Sequence, residues 1–294
     1  MGIVFILIAA IFWGIIGAFT RPLLAMGFTP MQLSAARALV GAVCAVVYCL
    51  IKDPKLLKIR LKDGWIFIGT GLVSFTFMNI FYYMTQRLCS LSTAAVLLYT
   101  SPIFVMILSA ICFKERITPV KVAALLLAAA GCVLVSGIGA ADFTLTGFLT
   151  GIGSGLAYAL YSIFSRVGLR KYNSVTITAY TFIVAAVVTV PLCQPRGAAR
   201  LIETNPAFLL YMLGLGTVAA FLPFLFYTKG LETVATGKAA IIVTVEPVVA
   251  SVLGVLAFRE AMTVPDIVGI VLVLGAVLLL NMEGRLRWRQ KQIS

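Results

Sequence analysis

The sequence predicts an all-α membrane protein in which ten transmembrane helices form two inverted five-helix repeats. Of its 294 residues, 62% are hydrophobic and 11% are charged, which leaves too few charges to cover a water-soluble surface. Apolar runs of about 20 residues, long enough to cross a hydrocarbon core of about 30 Å, recur from end to end. The sequence also matches itself at a constant shift of 145 residues, the separation of Pro102 and Pro247.

The apolar runs divide the chain into ten predicted helices, because lipid offers the backbone no hydrogen-bond partners outside the segment itself. The first run has neither a basic n-region nor a convincing cleavage site. We therefore expect a retained helix and not a signal peptide. The predicted spans are 2–20, 30–51, 65–85, 91–113, 119–138, 144–165, 174–193, 206–228, 235–258 and 264–282.

The residue types that support cofactor chemistry are scarce or scattered. Six cysteines lie in or beside the apolar runs without C-x-x-C spacing, so we expect neither structural disulfides nor a metal site. Histidine is absent, which excludes a histidine-based catalytic triad or proton relay. The chain also lacks a G-x-x-x-x-G-K-[ST] phosphate loop, so ATP is not expected to drive it directly. We expect no cofactor.

The net charge of +13 is unevenly placed, which argues for a membrane orientation and against a nucleic-acid partner. Most basic residues fall on the side that carries both chain termini, including the tail 284–294. The positive-inside rule then predicts a multi-pass protein of the cell membrane with both termini in the cytoplasm. We expect the tail to contact anionic lipid. The exceptions are Arg37, inside a span, and, on the other side, Arg21, Arg87, Arg196, Arg200 and Arg259.

The 145-residue register holds without a gap and predicts two units, 1–139 and 144–283, followed by the tail 284–294. It places FKE at 113–115 on FRE at 258–260, and Trp13 on Tyr158. Because each unit contains an odd number of spans, the two units must enter the membrane from opposite sides. Inverted repeats are a common construction of secondary transporters, whose halves rock about a site near the bilayer midplane. The repeated Glu115 and Glu260 lie at span ends, where we expect structural roles.

Pro102 and Pro247 interrupt corresponding spans near their middles, which favours a binding site at these breaks. Proline removes a backbone donor and frees a carbonyl one turn back. The alternative is a packing kink without ligand contact.

Several of these segments resemble the EamA family of the drug/metabolite transporter superfamily. They are YTSPIF at 99–104, FKERIT at 113–118, VEPV at 245–248, FRE at 258–260 and ARA at 36–38. The resemblance covers nearly the whole chain, with one unit per half. It implies a ten-helix secondary carrier of amino acids, related metabolites or drugs, and in bacteria usually an exporter.

Arg37 and Glu246 are the two strong charges predicted deep within spans, where each costs about 2.5 to 3.5 kcal/mol on insertion scales. Neither is repeated, since Arg37 falls on Phe182 and Glu246 on Ser101. Three interpretations remain open. The two residues form a buried ion pair, or they bind the carboxylate and ammonium of an amino acid, or Glu246 carries a coupling proton because burial disfavours its charged form.

Polar and aromatic residues at helical spacing predict a small-molecule cavity. Asn79, Tyr82, Tyr83 and Gln86 share one face of the third span. We also expect Trp13, Tyr99, Tyr158 and Tyr227 to line the cavity, although tyrosines near span ends can instead belong to the interfacial belt.

The leading hypothesis is a secondary-active transporter of small metabolites, with amino acids or related metabolites exported by alternating access. A proton-coupled drug or cation exporter is the alternative. A lipid-modifying membrane enzyme is disfavoured because the acidic residues are spread singly, and the connections are too short for a sensing domain. The expected partners are a small-molecule substrate, a coupling proton and the lipid bilayer.

Overall fold

The computed structural model describes residues 1–136 and 144–293, with the side chains of residues 204 and 283–293 outside that description. The predicted end of the fifth span at 137–138 and the basic side chains of the predicted tail 284–294 therefore lie outside the described residues.

The described residues contain ten helices long and apolar enough to cross a membrane, which confirms the predicted fold class. They are α1 Gly2–Ala25, α2 Pro30–Lys52, α3 Leu61–Leu88, α4 Leu91–Phe113, α5 Pro119–Ser136, α6 Leu145–Gly168, α7 Ser174–Leu192, α8 Ala207–Leu231, α9 Thr236–Phe258 and α10 Val264–Met282. The last helix continues to Ile293, and a short helix, Pro195–Thr204, lies between α7 and α8.

Some helices extend beyond the predicted spans, because charged and polar ends reach the interface while the helix itself continues. Helix α1 runs past Thr20 to Ala25, and α3 begins at Leu61. Hydroxyl caps begin several helices, as at Thr29, where a capping box with Gln32 starts α2, and at Thr118, which caps α5 by accepting from the amide of Lys121.

The local backbone geometry repeats at the 145-residue register. Helix α4 breaks between Leu91–Leu98 and Ser101–Phe113, and α9 breaks between Thr236–Ile242 and Val245–Phe258. Equivalent π-helical segments widen α3 and α8, at Gly69–Thr76 and Thr217–Phe221. Lys114 and Arg259, which end α4 and α9, are both left-handed, with φ of 54° and 57°.

The helix contacts exchange between the halves in the same way. Helix α1 packs against α8 and α9, while α6 packs against α3 and α4. Helix α2 packs against its equivalent α7, and α5 against its equivalent α10. This pattern agrees with the predicted duplication.

The bundle has two ends, which we name the N-terminal face and the opposite face. At the N-terminal face, Gly2 packs closely against Thr233 in the connection between α8 and α9. Its equivalent Gly147 packs against Cys89 in the connection between α3 and α4, at the opposite face. A Cβ atom at either glycine would require the neighbouring Thr233 or Cys89 side chain to move, so both contacts are closer than ordinary packing. Equivalent contacts at opposite ends support the inverted relation that parity predicts.

Candidate functional site

A cavity of about 300 Å³ lies between the two halves and extends from the middle of the bundle to the opposite face. Its outer part is formed by the C-terminal end of α1, the start of α2 and the end of α3. Its inner part is formed by the broken regions of α4 and α9 together with α6 and α8. The lining residues are Trp13, Ile16, Thr20, Leu24, Pro30, Leu33, Arg37, Met78, Asn79, Tyr82, Tyr83, Gln86, Leu98, Tyr99, Tyr158, Phe224, Glu246 and Ala250.

Arg37 enters the cavity from α2, and its side chain is held by weak contacts. Its guanidinium lies 5.5 Å from the ring centroid of Phe75, and Nη2 donates to the carbonyl of Ala219 at 3.5 Å. Ala219 lies in the π-helical segment of α8, and such segments are frequent at functional sites. Among the described residues Arg37 Nε has no hydrogen-bond partner, although Arg37 is buried and only 8% exposed. The guanidinium therefore retains donor capacity for an anionic group.

Glu246 enters from the break in α9, in the first turn of the second half-helix. A carboxylate at this position is favoured by the positive end of the helix dipole. The hydroxyl of Tyr158 donates to Oε2 at 3.5 Å, at the long limit of a hydrogen bond. Neither carboxylate oxygen forms an ion pair with Arg37, since the described residues contain only three salt bridges, all elsewhere. The direct ion pair, one of the three open interpretations, is thus not present in this conformation.

The predicted polar face of α3 does turn towards the cavity. Asn79, 3% exposed, donates from Nδ2 to the carbonyl of Phe75 at 2.7 Å and accepts from the hydroxyl of Tyr83 at 3.3 Å. Tyr82 lies beside Tyr83, with ring centroids 6.3 Å apart. This face offers hydroxyl groups to a ligand, while the amide of Asn79 is mostly engaged within α3.

Aromatic rings close the inner end of the cavity. Trp13 packs edge-on against Tyr158 and Phe224, with centroid distances of 6.1 and 5.2 Å. Tyr99 lines the cavity from the break in α4, between its two half-helices. An apolar wall with a few polar groups is the usual composition of a small-molecule pocket.

Tyr227 is placed differently from the prediction, because it does not line the cavity. It is 3% exposed, and its hydroxyl lies 2.7 Å from Ser162 Oγ in a pair that satisfies both groups. Its ring packs against Trp13 at 5.5 Å, behind the cavity wall. Its repeat equivalent, Tyr82, lines the cavity in its place.

Pro102 and Pro247 lie in the first turn of the second half-helix of α4 and α9, directly after each break. Neither ring lines the cavity. The prolines therefore mark the breaks, while the neighbouring Tyr99 and Glu246 reach the cavity.

Several lining residues were not predicted, notably Met78, Leu98 and Phe224. Apolar side chains in a predominantly apolar span carry no distinguishing local signal. Phe224 is the repeat equivalent of Asn79, so applying the 145-residue register to the predicted α3 face would have found it.

Comparisons with known proteins agree with this architecture. The EamA-like transporter family matches residues 1–137 and 145–282, once per half. An uncharacterized transporter of Archaeoglobus fulgidus is 26% identical over 93% of this chain and 94% of its own length. The uncharacterized inner membrane transporter YicL of Salmonella typhimurium is 22% identical over 98% of this chain and 97% of its own length. The uncharacterized transporter YwfM of Bacillus subtilis is 24% identical over 96% of this chain and 94% of its own length.

A protein of known crystal structure shares the fold, with a TM-score of 0.79 and 19% sequence identity over 97% of both chains. The doubled family match covers nearly the whole chain and coincides with the ten-helix fold described above. The chain belongs to the EamA-like transporter family and is a multi-pass membrane transporter.

Proposed function

We propose that this protein is a secondary-active exporter of small zwitterionic metabolites of the amino-acid class, working by alternating access. The observation that carries the proposal is the presence of Arg37 and Glu246 in one cavity without a direct ion pair between them. Two opposite charges at membrane depth that do not pair directly are complementary to a ligand that carries both.

In this proposal the substrate carboxylate binds the guanidinium of Arg37, whose planar fork suits bidentate recognition. The substrate ammonium binds the carboxylate of Glu246. The substrate side chain then lies against Trp13, Tyr158 and Phe224. The cavity volume of about 300 Å³ is at the small end of the range for ligand pockets, which favours a compact metabolite.

The direction of opening supports a carrier cycle. The cavity reaches the opposite face but is closed towards the N-terminal face by a packed layer that includes Tyr161, Tyr227 and Leu231. With the positive-inside orientation, the N-terminal face lies in the cytoplasm, and the cavity opens outwards. This is the state from which an exporter releases its substrate, and an ion or solute gradient would supply the energy.

Proton-coupled export of organic cations is the second candidate. It is favoured by the position of Glu246 beside the hydroxyl of Tyr158 and in one cavity with the ring of Trp13, since aromatic faces and a carboxylate together attract cations. In that case Glu246 exchanges a proton for the cation, and Arg37 does not contact the substrate.

Counterflow in proteoliposomes separates the two candidates. Radiolabelled amino acids, amines without a carboxylate and carboxylates without an amine are compared in the wild type and in Arg37→Gln. Arg87→Gln is the matched control, because Arg87 is exposed and does not line the cavity. We expect counterflow of zwitterions only, abolished by Arg37→Gln and unchanged by Arg87→Gln. Counterflow of amines that persists in Arg37→Gln would favour the cation exporter instead.

A further inference from the structure

An arginine and a glutamate stand at equivalent positions at each end of the bundle. Arg21 and Glu260 lie at the opposite face, and Arg166 and Glu115 at the N-terminal face. Arg166 is the 145-residue equivalent of Arg21, and Glu260 that of Glu115. The four residues are two copies of one pair, yet the two copies make different contacts.

At the N-terminal face both residues bind the connection between α8 and α9. Glu115 accepts hydrogen bonds from the backbone amides of Thr236 at 2.6 Å and Gly237 at 3.1 Å, which are the first amides of α9. Arg166 donates to the backbone carbonyl of Leu231 at the end of α8. A carboxylate at a helix start and a guanidinium at a helix end are both favoured by the helix dipole. Together they hold the α8–α9 connection against the ends of α4 and α6.

At the opposite face the equivalent arginine and glutamate bind each other. Arg21 Nη1 lies 2.6 Å from Glu260 Oε1, with both side chains half exposed. The connection between α3 and α4, equivalent to the α8–α9 connection, is not held by either residue. At the start of α4, Ser90 Oγ accepts from the amide of Thr93 at 3.1 Å, and within the described residues no side chain accepts from the amides of Leu91 and Ser92, the equivalents of Thr236 and Gly237. The end of the bundle that lacks this attachment is the end at which the cavity opens.

We infer that the two Arg–Glu pairs are alternating gates: at each face the arginine and the glutamate either bind the connection between two helices at that face or bind each other. When the opposite face closes, Glu260 leaves Arg21 and caps α4 at Leu91 and Ser92, while Arg21 donates to the carbonyl of Gln86. When the N-terminal face opens, Glu115 leaves α9 and pairs with Arg166. This inference rests on the alternating access of the proposed function and adds the residues that set which face is open.

The exchange balances the two states. Each state keeps one Arg–Glu pair bound to itself and one bound to a helix–helix connection. The states differ in one ion pair, Glu115 Oε2 with Lys121 Nζ at 3.9 Å, because Asp266 stands at the position equivalent to Lys121. Two states of nearly equal free energy are what a carrier needs, because a modest ligand preference can then shift the population.

The exchange also predicts which residues line the cavity when the N-terminal face is open. Thr20 and Tyr82 line the present cavity, and their equivalents Ser165 and Tyr227 are buried at the closed end. Ser165 Oγ has no hydrogen-bond partner among the described residues, although it is fully buried. We therefore expect Ser165 and Tyr227 to line the cavity that opens to the N-terminal face.

Thiol labelling of the full-length protein in lipid nanodiscs tests the exchange without requiring transport. The six native cysteines are replaced by alanine or serine, and single reporters Thr20→Cys and Ser165→Cys are placed at the two equivalent positions. A hydrophilic maleimide reaches both faces of a nanodisc, so the labelling rate reports which cavity is open. With the native glutamates, Thr20→Cys is expected to label quickly and Ser165→Cys slowly.

Glu115→Gln and Glu260→Gln form the matched comparison, because they make the same change at equivalent positions. Glu115→Gln weakens the closed gate, so the labelling rate at Ser165→Cys should rise roughly tenfold while that at Thr20→Cys falls. Glu260→Gln removes the residue that would close the opposite face, so labelling at Ser165→Cys should stay slow. Arg166→Gln should act like Glu115→Gln, and it serves as the second variant if Glu115→Gln does not give a monodisperse protein.

Two results would overturn the gates. The first is a labelling rate at Ser165→Cys that is unchanged in both Glu115→Gln and Arg166→Gln. The second is an equal rise of that rate in Glu260→Gln, which would indicate a general loosening of the bundle. The labelling result is independent of substrate identity. A shift between reporters without any counterflow would leave the gates in place and refute the proposed substrate class. Counterflow of zwitterions without a shift between the reporters would support the proposed substrate class and refute the gates.

Discussion

Arg37 on α2 and Glu246 on α9 line one cavity from the two halves of the chain, and neither neutralises the other by direct contact. Burying an unpaired charge at membrane depth costs several kcal/mol unless water or a ligand compensates it. The asymmetry is also informative, because Phe182 and Ser101 occupy the equivalent positions. A two-fold frame in which neither of these charges is repeated suits a substrate that has two different ends.

Arg37→Lys should weaken zwitterion binding about tenfold, because an ammonium keeps the charge but loses the planar fork that binds a carboxylate bidentately. The dissociation constant is measured by isothermal titration calorimetry on the purified protein, with Arg87→Lys as the control. An unchanged constant in Arg37→Lys would remove the carboxylate-binding role.

Glu246→Gln should abolish proton-driven uptake in vesicles while leaving the protein folded, since the neutral amide can neither exchange a proton nor bind an ammonium as a carboxylate does. Uptake is followed under an imposed pH gradient, and folding by size-exclusion chromatography. Glu246→Asp should retain part of the activity. Unchanged pH-dependent uptake in Glu246→Gln would exclude Glu246 from coupling.

Gly155→Ala should destabilise the fold by about 1 to 3 kcal/mol, because the added Cβ meets Thr100 Oγ1 at 2.6 Å and the carbonyl oxygen of Leu97 at 2.9 Å at the break in α4. Gly275→Ala is the control, since a Cβ there meets nothing within 4 Å. Thermal unfolding in detergent compares the two variants. Equal melting temperatures for both would show that α4 can move away from α6 at little cost.

A reporter fused to the C-terminus should give a cytoplasmic signal, and so should one inserted in the connection between α4 and α5. A reporter inserted at 196–200 should give an external signal. These positions follow from the distribution of basic residues, and paired phosphatase and fluorescent-protein fusions measure them. An external signal from the C-terminal fusion would reverse the predicted orientation and with it the direction in which the cavity opens.

Much of the fold could be predicted because its determinants are local. Helix number follows from the length of apolar runs, and the breaks of α4 and α9 follow from Pro102 and Pro247. The polar face of α3 follows from the spacing of Asn79, Tyr82 and Tyr83. Those three residues line the cavity. The two charges within spans, Arg37 and Glu246, also line it. Their roles in transport stay predictions.

The sequence by itself determined a ten-helix chain with a 145-residue repeat, because hydrophobicity and self-similarity need no knowledge of packing. It could not choose between equivalent positions. Tyr82 and Tyr227 are the same residue type in the same register, as are Glu115 and Glu260, yet one tyrosine lines the cavity and the other is buried. Only the tertiary structure decided this, because a duplicated chain can be open at either end, and packing, not local sequence, selects the end that is closed.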